Sequence, residues 1–293
     1  MPLVCAAVMP HGFPLIPDLD DDADGALVTR NGMEEIGRRM REAAVEVVVI
    51  AGPHGVRVDG MIALADCARA AGSLTWRDRT VELNVPIDGT LTDAIAEAAR
   101  DAEVPVAMVG FAGNQRASSV LPLDWGLLTP LWFCGHDQSM PGLGNILASG
   151  NLPPSRGPAA VIVGPSRRLP RERLVRFGAA IADAAADDPR RIAFVASCDW
   201  SHTHDASGPY GFSDRAAPVD DMVVRALHAG DPLRLMTLSD EDARTAAIDG
   251  LWQVLLLGGT LQRVPMRADL LSYEAPTYYG MINVWFAPRS SHG

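Results

Sequence analysis

Two turns in this chain carry the same three residues, Pro10-His11-Gly12 and Pro53-His54-Gly55. Each follows an apolar run, residues 3–8 and 46–51, that reads as a buried strand. In α/β sheets, ligands bind just beyond the carboxyl ends of strands. Two strands that end alike would therefore present two imidazoles at one sheet edge. Proline stiffens each approach, and the glycine lets the backbone turn sharply after it. Neutral imidazole is the commonest metal ligand. A single loop histidine is ordinarily a polar loop residue, but two matched turns after two strands argue for a metal site.

A third chemical segment, residues 196–204, again follows an apolar run at 191–196 and holds Asp199, Ser201, His202 and His204. It should reach the same rim. Imidazole titrates near about 6.5, which suits a general acid–base, and His202 is the candidate. His202 and His204 as a ligand pair is the alternative, at the cost of room for substrate. Asp124-Trp125-Gly126 opens a further apolar run. Towards the end of the chain two carboxylates, Asp249 and Glu274, stand in apolar surroundings, where an acid is costly unless it is paired or bound to a metal.

The elements that must position these groups alternate. Helical spacing covers residues 32–44, 91–102, 171–186, 218–229 and 241–257, and strand-like runs cover 104–109, 159–163 and 278–286. This alternation predicts an α/β fold, a mainly parallel central sheet flanked by helices in a single domain over 1–288, with 289–293 a flexible tail. The stretch 140–158, rich in Pro and Gly, predicts a long surface loop. The acidic run 18–24 predicts an exposed loop or helix cap, because no calcium-loop spacing follows.

With 293 residues, 48% of them hydrophobic and 21% charged, the chain can bury a large core. A net charge of −11 argues against nucleic-acid binding, which needs a basic surface. Arg167, Arg168, Arg171 and Arg173 form the densest basic group and read as a solvated helix start. No apolar run approaches the ~20 residues of a membrane span, and no signal peptide is visible. Four scattered cysteines read as reduced core thiols, so a cytoplasmic protein is expected.

Taken in order, these pieces resemble the class III extradiol ring-cleaving dioxygenases, the family of the catalytic subunit of protocatechuate 4,5-dioxygenase. The matching pieces are the early Pro-His at His11, the second strand-end His54 and the stretch from Asp124 to Leu131. They continue with Ser201-His202, a carboxylate-bearing helix ending in Gly258-Gly259-Thr260-Leu261, and the closing segment from Tyr273 to Met281. The resemblance implies that His11 and His54 ligate Fe(II), with Zn or Mn as alternative metals, and that His202 is the acid–base. The third ligand it implies is Asp249, which precedes Trp252; Glu274 is the alternative. It further implies a small aromatic diol and O₂ as substrates, with Asp124, Trp125, Ser201, His204, Tyr273, Glu274 and Tyr278 contacting substrate or supporting the site. A homo-oligomer is expected, and some relatives add a small accessory subunit. Two departures stand out. The family usually carries Glu where this chain has Asp249, and many relatives carry His where it has Trp125. A zinc-binding protein of the same scaffold without ring cleavage, hydrolase-like or regulatory, is the competing expectation.

Overall fold

The computed structural model describes residues 3–12, 14–137 and 156–288. The loop expected at 140–158 falls almost wholly outside the described residues, and the tail 289–293 falls outside them altogether.

Continuous apolar runs become the centre of the sheet. β1 (Leu3–Met9), β2 (Val47–Ala51), β8 (Ala159–Gly164) and β9 (Ile192–Ser197) are buried along almost their whole length. They pair in parallel as β1-β9-β2-β8, as expected of strands covered on both faces. β3 (Ile62–Ala65) and β6 (Val106–Val109) extend one side, with β3 antiparallel to β8. On the other side β11 (Met281–Pro288) runs antiparallel to β1, and β10 (Met266–Glu274) antiparallel to β11. The result is an eight-stranded, mostly parallel sheet. A second sheet is formed by β5 (Arg79–Pro86), β4 (Arg69–Trp76) and β7 (Val120–Pro122).

Two apolar cores lie on the two faces. One is filled from α2 (Gly89–Asp101), α4 (Arg171–Ala186), α5 (Ala216–His228) and α7 (Leu251–Arg263). The other is filled from α1 (Leu27–Glu42), α3 (Trp125–Phe133) and the small sheet. All four cysteines are buried and free, and no helix among the described residues is long and apolar enough to cross a membrane.

The expected helix at 241–257 is two helices. α6 (Asp240–Thr245) ends with Ala247 at a φ of 52°. The Ala247 amide donates to the Arg244 carbonyl and the Ile248 amide to the Ala243 carbonyl. This closing turn usually uses glycine, so an alanine there hides it from sequence. Asp249 therefore stands in the break before α7, not on a helix. α7 in turn is locked to α4 at backbone distance. A Cβ built on Gly259 would lie 1.9 Å from the Val175 carbonyl oxygen, and one on Gly178 1.9 Å from that of Leu256. The start of α1 also lies earlier than its helical spacing predicts, because the Glu274 carboxylate accepts a hydrogen bond from the Thr29 amide at 2.5 Å and caps that end.

Candidate metal centre

β1, β9 and β2 are adjacent and parallel, so their carboxyl ends open on one edge. His11 follows β1, Asp199 and His202 follow β9, and His54 follows β2. The closing turn of α6 brings Asp249 to the same place. His11, His54 and Asp249 offer ligand atoms that all lie within 4.8 Å of one another. The nearer Asp249 oxygen, Oδ2, is 3.3 Å from His11 Nε2 and 3.7 Å from His54 Nε2. Ligand atoms about 2.1 Å from one ion, at angles between octahedral and tetrahedral, stand roughly 3.0–3.4 Å apart. The spacing thus fits one cation with little closure.

The hydrogen bonds behind His11 set its tautomer. Ser197 Oγ donates to the Gly126 carbonyl. Its proton is thereby used, so it accepts from His11 Nδ1–H at 3.1 Å. That leaves Nε2 as the ligating nitrogen, aimed at Asp249. The His11 amide donates to Asp199 Oδ1 at 3.1 Å, and the Asp199 amide donates to Asp249 Oδ1 at 3.0 Å. Backbone and side chain alternate in this chain of contacts and hold both carboxylates in place.

The charges of the metal-free site are unequal. Burial alone would lower the His11 pKa, but the Asp199 and Asp249 carboxylates, helped by Asp124, lift it to about 9. His54 moves the other way, to about 4, through burial and then the positive charges of His11 and Arg167. Burial would raise Asp249, yet His11 holds it below the usual carboxylate range. Asp199 is raised, by burial first.

His202 lies in the wall of a pocket of about 1060 Å³ together with His54, Asp249, Tyr210 and Trp252. Its ring stacks on Tyr279, centroids 5.5 Å apart and planes 20° from parallel, with Tyr210 against its edge at 5.6 Å and Tyr278 at 6.0 Å. Among the described residues, His202 Nδ1 is buried and has no hydrogen-bond partner. The Ser201 and His204 segment is tied down by a residue the sequence did not single out. Asp220 is fully buried; it accepts from the Ser201 amide at 3.0 Å and from the Tyr273 hydroxyl at 3.0 Å, and sits 2.8 Å from His204 Nε2.

Several expected site residues have other duties. Glu274 caps α1 and lies outside the cluster, so the third acidic group beside the histidines is Asp249. Tyr273 turns its hydroxyl to Asp220 and is absent from the pocket wall, where Tyr210 stands instead. His204 faces Asp220, which leaves no His202–His204 ligand pair. Asp124 caps α3, accepting from the Gly126 amide at 2.7 Å. Trp125 lies against His54 with centroids 4.5 Å apart. Arg167 and Arg168 are exposed just ahead of α4, as a solvated helix start requires, and also border the pocket. Asp199, mentioned above only as part of its segment, belongs to the centre; its position two residues beyond β9 was the available signal.

A family model described as the catalytic LigB subunit of aromatic ring-opening dioxygenase matches residues 5–284. Among curated proteins, the chain is similar to protein CA_C1420 of Clostridium acetobutylicum, 24% identical over 269 residues that make up 91% of this chain and 54% of that protein. The chain thus spans about half the length of that relative. Among solved structures, it is similar to the uncharacterized protein JW3007 from Escherichia coli K12, with a TM-score of 0.58 and 14% identity, covering 96% of this chain and 99% of that one. At that identity the likeness speaks for the fold alone.

Proposed function

Because the chain belongs to the family of the catalytic LigB subunit of aromatic ring-opening dioxygenases, we propose that it holds Fe(II) on His11, His54 and Asp249 and opens a catechol-type ring with O₂. The observation that carries this reading is the convergence of two imidazoles and one carboxylate at the carboxyl edge of β1, β9 and β2, beside a pocket large enough for an aromatic diol.

Two histidines and a carboxylate on one side of an ion suit non-haem Fe(II) and leave positions open for other ligands. Bound there, the metal would lower the phenol pKa and hold diol and O₂ side by side. The rest falls to the chain. Ser197 and Asp199 fix the His11 ring and backbone. His202 accepts the second phenolic proton and returns a proton later in the reaction; its ring is held by the Tyr279 stack, and Nδ1 carries no competing protein bond. Asp220 fixes the segment that presents His202. Trp125 packs against the His54 ring, and Tyr278 lies beside His202.

The test is direct. Protein purified without O₂ is analysed for metal, loaded with Fe(II), and given substituted catechols under air. The reading expects a yellow ring-opened product from at least one of them. Tightly held zinc, with no O₂ uptake after iron exchange on any substrate, would move the protein to the metal-binding alternative.

A further inference from the structure

His54 borders two openings. One is the pocket of about 1060 Å³ shared with His202 and Asp249. The other is a narrow crevice lined from β3, β7, β8 and α3. Its shape starts in the sequence of β3, Ile62-Ala63-Leu64-Ala65. Successive side chains of a strand point to opposite faces. Ile62 and Leu64 join the core under α2 and α4. Ala63 and Ala65 face the other way, towards Leu121 of β7, Leu127 of α3 and Ile162 of β8. Two methyl groups leave a gap there that larger aliphatic side chains would fill.

The gap is small and apolar. Its volume, about 10 Å³ against about 1060 Å³ for the larger pocket, admits about one water-sized molecule and no aromatic ring. Among the described residues, the polar side chains in its wall are those of His54 and Asp124. One Asp124 oxygen caps α3, and the other, Oδ2, is buried without a hydrogen-bond partner. A water in such a place needs two to four polar contacts, and one spare acceptor falls short of that. Apolar cavities of this kind stay dry and take up apolar atoms or gases instead.

We propose that this crevice seats O₂ and passes it to the metal centre along His54, apart from the pocket that takes the diol. This rests on the ring-opening reading above and adds to it a site for the gaseous substrate. O₂ carries no hydrogen-bonding proton, is apolar and is about the size of one water, so it suits both the dimensions and the lining. A separate seat lets the gas reach the ion while the diol occupies the larger pocket.

The first test needs no ring opening. Dissolved O₂ is paramagnetic and speeds the NMR relaxation of nearby methyl groups. Zn(II)-loaded protein without diol is placed under O₂ pressure, so that nothing turns over. The Ala63, Ala65 and Leu127 methyls should relax several-fold faster than those of Val49 and Val195, which are buried as deeply in the large sheet. Xenon, which competes for apolar cavities, should abolish the difference. The Ala63→Val, Ala65→Val double variant fills the crevice and should lose the effect at Leu127. Leu121→Ala widens it and should strengthen the effect, which keeps the test decisive where the filled variant does not fold. Uniform relaxation across all these methyls in the wild type overturns the proposal. The second test is kinetic, on Fe(II)-loaded protein. Filling the crevice should raise KM for O₂ at least about fivefold and leave metal content and KM for the diol unchanged. An unchanged KM for O₂ in a folded variant that has lost the methyl effect overturns the entry path. If the wild type opens no ring, the ring-opening reading fails while the gas seat still stands or falls on the methyl relaxation.

Discussion

On the proposed ligand set, metal binding displaces a proton from His11, and the size of that competition follows from the site. In the metal-free protein, burial pulls the His11 pKa down, but Asp199 and Asp249 raise it to about 9. The ligating form is neutral, so at pH 7 the proton competes with the metal by about two orders of magnitude. His54, at about 4, is already neutral there, and Asp249, held low, is already ionised. The sign is therefore fixed. Metal affinity should rise by about one logarithmic unit per pH unit from near neutrality and level off near pH 9. A histidine with an ordinary pKa of about 6.5 would level off well before that. Calorimetric titration of Zn(II) into metal-free protein at neutral pH, in buffers with different ionisation heats, counts the protons released. About one per ion is expected. Release of none, with affinity flat from neutrality to pH 9, would refute the reasoning that His11 is held protonated by the two aspartates.

Four substitutions probe the rest. His202→Ala should keep the metal while ring opening falls by about 10²–10⁴-fold, measured as O₂ uptake at saturating catechol; loss of metal instead would place His202 among the ligands. Asp249→Ala should strip the ion, whereas Glu274→Ala should keep it and lose about 1 kcal/mol of stability with the α1 cap, read by metal analysis and urea unfolding. Gly259→Ala sets a methyl group against the Val175 carbonyl and should cost about 1–3 kcal/mol or more in urea unfolding, and an unchanged midpoint would show that the α4–α7 contact yields easily.

The parts of this protein that could be read in advance are those where local chemistry and fold agree. β1, β2 and β9 are continuous apolar runs, and each is followed by a histidine-bearing turn, so both the parallel sheet and the strand-end positions of His11, His54 and His202 followed. The parts that could not be read are set by tertiary contacts. β4 alternates weakly around Gly72, and its partners β5 and β7 declare themselves only once paired. The break that places Asp249 depends on Ala247 adopting a left-handed turn that alanine does not advertise. Glu274 and Asp249 looked alike as isolated acids in apolar sequence. They differ because one meets the amide end of α1 and the other meets two imidazoles. Asp220 is invisible for the same reason. It is one acid on a helix until Ser201, His204 and Tyr273 fold around it.

The central claim is that the ion held by His11, His54 and Asp249 puts both atoms of O₂ into an aromatic diol. Mass spectrometry of the product formed under isotopically heavy oxygen by the Fe(II)-loaded protein tests it most directly. A ring-opened product carrying two heavy oxygen atoms per ring is the predicted result. Intact catechols recovered unlabelled from iron-loaded protein, across a range of ring substituents, would contradict it.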